Sequence, residues 1–204
     1  MRAITLLLVL MVSGYAGQYD KVKITPEISY IYVYHKGKAV KVHRIQNTKN
    51  KLTGEYASTY RPNQDIQPIK MHKDIQTIGE VELLYFMKNR VNKKKGILVD
   101  LRSKKAYKSE SIPSAVNIPS QTKNNKIKVE KILEVLGAKR LADGSLDAGK
   151  AMDVAFYCNG LWCDKSSEFI ETFLDLGYPA DKMLYYRGGF QMWKILGFTT
   201  VTNR

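Results

Sequence analysis

Two short runs constrain this chain more than anything else in it. Ile97-Leu98-Val99 and Val154-Ala155-Phe156-Tyr157 are apolar at every position. A strand with one wet face alternates apolar and polar side chains; an uninterrupted run marks a strand covered on both faces, as in a parallel sheet clad by helices. Val116-Asn117-Ile118 and residues 183–186 read as further, shorter strands. Helical patterns lie between them. Thr77 and Glu80 have the spacing of a capping box, with Thr77 as N-cap. Val81, Leu84 and Tyr85 then give an apolar face running toward Met87, which Lys93-Lys94-Lys95-Gly96 ends. Residues 129–136 read as a helix stopped by Gly137, and Asp143-Gly144 as a turn. Residues 166–176 carry a stripe of Phe169, Ile170, Phe173 and Leu174 that Gly177 terminates, and residues 189–196 form a last helix. Strand and helix alternate, so the expected fold class is α/β, a mostly parallel central sheet flanked by helices.

The N-terminal part differs in kind. Residues 28–35 and 39–45 are β-prone runs joined by Lys36-Gly37-Lys38, a hairpin pattern. Residues 47–74 are polar and irregular, with Pro62 and Pro68, and read as a connecting arm over the surface. Ahead of both, Met1-Arg2 supplies a positive charge, Ala3 to Val12 an apolar stretch, and Ser13-Gly14-Tyr15-Ala16 small residues before a cleavage point. That is the pattern of a secretory signal, removed after Ala16. The apolar stretch is near ten residues, well short of the ~20 that span a bilayer. The expected organisation is a signal at 1–16, a hairpin and arm at 17–76, and the α/β domain at 77–204. A periplasmic or secreted protein with no membrane span after cleavage follows.

The formal net charge is +14, with 33 Lys and Arg against 19 Asp and Glu. The excess is spread over both parts: 11 against 5 in residues 17–76, and 21 against 14 in residues 77–204. No recognised nucleic-acid motif accompanies it, so no nucleic-acid partner is expected. A diffuse positive field suits small anionic ligands or an anionic surface.

Both cysteines stand in one loop, Cys158-Asn159-Gly160-Leu161-Trp162-Cys163-Asp164-Lys165-Ser166. Cys158 ends an apolar strand and opens a Gly-bearing loop that leads into a helix. Amides at a helix N-terminus stabilise an anion, and a thiolate placed there is accessible near neutral pH. The plainer alternative is a buried apolar residue at a strand end. Two thiols make no metal site, and His35, His43 and His72 are far off in sequence, so neither metal nor cofactor is expected. A bond between Cys158 and Cys163 would close a small ring, local and redox-active. It would also remove the nucleophile and make activity depend on a reductant.

Two flanking segments give the loop its context. Upstream stand Gly96-Ile97-Leu98-Val99-Asp100-Leu101-Arg102, Ala106-Tyr107 and Ser111-Ile112-Pro113-Ser114-Ala115-Val116-Asn117-Ile118-Pro119. Downstream stand Leu176-Gly177-Tyr178, Tyr186-Arg187-Gly188-Gly189-Phe190 and Trp193. In order and spacing, over about residues 77–201, these resemble the rhodanese family. There a strand ending in Asp-x-Arg precedes an Ile-Pro-x-Ala-x-Asn-Ile-Pro turn, the catalytic Cys follows a strand, and Gly-Gly-Phe-x-x-Trp closes the domain.

The resemblance implies a sulfurtransferase with a rhodanese-like domain and Cys158 as nucleophile. The Cys158 thiolate would take the outer sulfur of a small anionic donor such as thiosulfate and pass it to a thiol acceptor or a partner redox protein. Asn159, Gly160, Leu161, Trp162, Cys163, Asp164 and Lys165 would form the cradle, with Lys165 holding donor charge. Asp100, Arg102, Ser166 and Arg187 read as support: a charged brace at the strand end, a helix cap, and an arginine at the rim. The chain departs from the family in three places. The stretch from Cys158 to Gly177-Tyr178 is about two residues longer, Cys163 lies inside it, and Ser111 replaces a His. A related branch that hydrolyses phosphate esters has Arg six positions after its Cys. Asp164 stands there and would repel a dianion. Two further readings stay open: a thiol–disulfide or persulfide relay of Cys158 and Cys163, and a non-catalytic anion-binding module.

Overall fold

The structure, a computed structural model, describes residues 21–59 and 65–204. The signal pattern at 1–16 and Pro62 of the arm lie outside the described residues.

The uninterrupted apolar runs are the central strands of one parallel sheet, built from β3 (Gln76–Ile78), β4 (Gly96–Asp100), β5 (Val116–Asn117), β8 (Asp153–Tyr157) and β9 (Met183–Tyr186). Its order is β3-β9-β8-β4-β5. In register, Leu98 stands beside Ala155 and Val99 beside Phe156, with Leu184 and Tyr185 across the other edge. Successive side chains on β8 go to opposite faces. Val154, Phe156 and Cys158 pack on one side with α3 (Lys126–Val135) and α4 (Lys165–Asp175). Ala155 and Tyr157 pack on the other with α1 (Glu80–Phe86) and α5 (Gly189–Ile195). Both faces are buried, which is why neither run alternates.

The hairpin is β1 (Tyr30–His35) and β2 (Lys38–His43). Lys36 and Gly37 both have positive φ, 47° and 78°, the geometry of a tight two-residue turn matched to strand twist. Asn92 clamps the β1 edge, accepting from Tyr34 N at 3.2 Å and donating to Tyr32 O at 2.7 Å. Ile31, Val33 and Val42 point inward and share one core with Leu83, Met87, Trp193 and Phe198. The hairpin thus completes the core of the α/β domain.

Some expectations are corrected. Thr77 does not cap α1. It lies in β3 opposite Tyr185, and its hydroxyl donates to Ile69 O. The sheet edge claims it, and the cap falls to Gly79, whose amide donates to Glu82 Oε2 at 3.1 Å. Glu80 instead accepts from Tyr186 OH. The buried face of α1 is Leu83, Leu84 and Phe86, while Tyr85 is exposed, and a π turn follows at Met87–Val91. Three elements carried too little periodicity to be seen: β3, α2 (Lys104–Ser109) capped by Ser103, and the small hairpin of β6 (Lys139–Arg140) with β7 (Leu146–Asp147). No helix among the described residues is long and apolar enough to cross a membrane.

Candidate active site

Strand β8 delivers Cys158 at the carboxyl end of the sheet, where open α/β folds place ligands. The first amides of α5 hold the loop from below. Phe190 N donates to Cys158 O at 2.9 Å and Gln191 N to Asn159 O at 2.8 Å. This approach requires Gly189, with φ of +60°. A β-carbon there would stand 2.8 Å from both Cys158 O and Gly160 N. At Gly160 a β-carbon would collide with the Trp162 ring, so the edge of the indole packs against that residue.

The loop is a closed ring. Cys158 and Cys163 are joined by a disulfide with their Cα atoms 6.3 Å apart, and both are about 3% exposed. Cys163 N donates to Gly160 O at 3.0 Å, and Asn159 Nδ2 lies 3.9 Å from Cys163 Sγ. In this state Cys158 is not a nucleophile. Cys163 stands two residues ahead of α4, and the bond holds the Cys158 sulfur against it. Asp164 takes the N-cap position without a side-chain bond, its carbonyl accepting from Glu168 N at 3.0 Å and Ser167 Oγ at 2.6 Å. Among the described residues, the amides of Asp164, Lys165, Ser166 and Ser167 have no acceptor, as expected of a first helical turn. Lys165 is half-buried with no ion-pair partner among the described residues. Ser166 does not cap the helix. It lies inside the first turn, buried, and its hydroxyl meets no partner. The cap lies two residues earlier because the loop is held closed until Cys163.

Asp100 and Arg102 form a buried brace. The Arg102 guanidinium grips both Asp100 oxygens, donates to Glu110 O at 2.6 Å and stacks 3.8 Å from the centre of the Phe190 ring. Tyr157 OH donates to Asp100 Oδ2 at 2.7 Å. Burial, then the Asp100 charge, pushes the Tyr157 phenol well up, so it stays a donor. With Nε and one terminal nitrogen engaged and only 3% exposed, Arg102 props α5 against the sheet.

Arg187 takes a structural role, bracing the arm. It donates from Nε at 2.9 Å and from its terminal nitrogen at 2.6 Å to Gln67 O. Gln67 N in turn donates to Leu161 O at 2.8 Å. One residue of the arm is thereby tied to both the cysteine loop and the end of β9. Closer to the N-terminus, the short helical turn Gly54–Tyr56 sets Tyr56 edge-on against Phe190. Glu55 and Tyr56 join Asn159, Trp162 and Gln191 around a cavity of about 160 Å³. Glu55, Tyr56, Gln67 and Gln191 are the site residues that sequence reasoning missed. Gln191 sat unremarked inside Gly-Gly-Phe-x-x-Trp, and the arm residues carried no signal.

The family model described as Rhodanese-like domain matches residues 85–196. No curated protein matches the chain. Among solved structures, the chain is similar to the BH2092 protein from Bacillus halodurans at 23% identity, covering 63% of this chain and 77% of that one, with a TM-score of 0.45. It is similar to thiosulfate sulfurtransferase from Pseudomonas aeruginosa at 15% identity, covering 67% of this chain and 22% of that one, with a TM-score of 0.47. It is also similar to a rhodanese-related protein from Thermoplasma volcanium at 20% identity, covering 62% and 97%, with a TM-score of 0.42. With more than half its length matched by one family model, and with the cysteine loop set at the carboxyl end of a parallel sheet, the chain belongs to the rhodanese-like domain family.

Proposed function

We propose that the reduced protein is an exported sulfurtransferase acting in the periplasm or outside the cell. Its nucleophile is the Cys158 thiolate and its donor a small anion of the thiosulfate kind. The carrying observation is where Cys158 lies: at the end of a buried strand, with its sulfur beside that of Cys163, which stands two residues ahead of a helix whose first amides have no acceptor among the described residues. Those amides, the Ser166 hydroxyl and Lys165, none of them partnered among the described residues, suit an anion. The thiolate attacks the outer sulfur of thiosulfate. A Cys158 S–S bond forms, the donor S–S bond breaks, and sulfite leaves with the electron pair. No general base is needed for a thiol already ionised. An acceptor thiol then removes the outer sulfur.

The Cys158–Cys163 bond favours a second reading, the relay. Cys163 attacks the inner sulfur of the Cys158 persulfide, the disulfide closes, and hydrosulfide leaves. An external reductant restores both thiols.

Mass analysis of the reduced protein mixed with thiosulfate separates these readings. One added sulfur on Cys158, absent in Cys158→Ser, is expected. Cys163→Ala should load equally and hold the sulfur longer. Sulfur on the Cys158→Ser variant refutes the assignment of the nucleophile, and no loading of the reduced native protein leaves the anion-binding module. Equal failure of both variants makes the relay obligatory.

A further inference from the structure

The proposed transfer does not use the cavity on the cysteine loop. Two of its walls come from the arm, Glu55 and Tyr56, two from the loop, Asn159 and Trp162, and one from α5, Gln191. Among the described residues that line it, Glu55 is the only one formally charged, and it has no ion-pair partner among the described residues. Burial, with the Glu55 carboxylate adding to it, pushes the Tyr56 phenol up, so that wall presents a neutral hydroxyl. The other groups are two amides and an indole. Such a lining favours a small ligand carrying a cation over one carrying an anion.

The cavity also approaches the disulfide from one side. Asn159 lies between them, and its amide nitrogen is 3.9 Å from Cys163 Sγ. Cys163 is therefore the sulfur in contact with a cavity wall, while Cys158 continues directly from the buried strand β8.

We propose that this cavity receives a small aminothiol, which opens the disulfide by attack at Cys163. The entering thiol gives its proton to solvent, and its sulfur bonds to Cys163 Sγ. The Cys158–Cys163 bond breaks, and its electron pair leaves on Cys158 as a thiolate. The aminothiol sulfur is oxidised into the mixed disulfide and Cys158 is reduced. The amides at the start of α4, which have no acceptor among the described residues, begin one residue past Cys163 and favour negative charge on the sulfur bonded to it. One thiol thus frees the nucleophile while masking its neighbour. The arm acts as a specificity element for the reductant, a role separate from the handling of any sulfur donor.

The test contains no sulfur donor, so it stands or falls apart from sulfur transfer. Full-length oxidised protein is mixed with limiting cysteamine, 2-mercaptoethanol or thioglycolate and quenched in acid. Free thiols are blocked, and the adduct is mapped by peptide mass. Rates are referred to the thiolate present for each reagent. The expected adduct is on Cys163. The cysteamine-to-mercaptoethanol rate ratio should be about fivefold higher in the native protein than in Glu55→Gln, the factor an exposed charge pair at contact distance supplies, with thioglycolate shifted the opposite way. Glu55 is exposed, and matching unfolding curves for the two proteins show that the variant is folded. An adduct on Cys158, an unchanged ratio in Glu55→Gln, or two free thiols in the unreduced protein each overturns the proposal.

Discussion

Arg102 shows how an arginine near a nucleophile acts as structure, the bracing role its place at a strand end implies. A role on substrate would turn its guanidinium toward the loop. Its guanidinium is instead spent on Asp100, Glu110 O and the Phe190 face, all below the loop. Removing one partner of a buried pair strands the other charge, which costs about 3–5 kcal/mol. Arg102→Ala should therefore lower unfolding stability by that order, measured by urea denaturation. Arg102→Lys should recover little of it, because an ammonium lacks both the fork and the flat stacking face. If Arg102→Ala kept full stability and lost only sulfur loading, Arg102 would belong to substrate binding.

At the scale of elements, the hairpin docks through one histidine. His35 Nδ1 accepts from Ser114 N at 3.1 Å, so Nε2 carries the proton and faces Asn203 Oδ1 at 2.8 Å. Burial lowers the His35 pKa, Asn203 opposes that shift, and Lys36 adds to it. The sign follows from proton binding. Below pH 6.5 the unfolded chain takes up a proton that the folded imidazole resists, so unfolding gains free energy as pH drops. The contribution is present in full above about 6.5, the unfolded value, and is lost as pH falls through the depressed folded value. Thermal unfolding should show this loss between neutral and mildly acidic pH in the native protein. A flatter profile is expected in His35→Gln, and identical slopes would remove His35 from the docking. The turn at Lys36-Gly37 was legible because a two-residue turn has its own chemistry. The pairing of His35 with Ser114 was not, since 79 residues separate them.

For the whole molecule, the boundary drawn at residue 76 divides the sequence but not the core. Ile31, Val33 and Val42 are buried against Leu83, Trp193 and Phe198. Each buried aliphatic of this size contributes about 1.5–3 kcal/mol. A fragment of residues 77–204 should therefore be at least about 4 kcal/mol less stable than the longer chain. It should expose the apolar face of α1 and α5 to a hydrophobic dye. Equal stability without dye binding would restore the hairpin to an appendage. The same fragment lacks Glu55, Tyr56 and Gln67, so it also loses the cavity wall and the tie to Leu161.

The sequence by itself determined the alternation of strand and helix, the burial of β4 and β8 on both faces, and the position of Cys158 at a strand end. Each rests on local pattern: unbroken apolar runs, helical stripes, and glycines where φ turns positive, as at Gly137 and Gly177. Only the tertiary structure decided what surrounds that cysteine. Gln67 meets the loop through its backbone N–H and C=O, groups every residue but proline carries, so no side-chain pattern announces the contact. Thr77 had a capping signal and lost it to the sheet edge, where pairing with β9 outweighed a local bond. The joining of Cys158 to Cys163 depended on how tightly the loop folds, which the docking of α5 beneath it and of the arm above it determines.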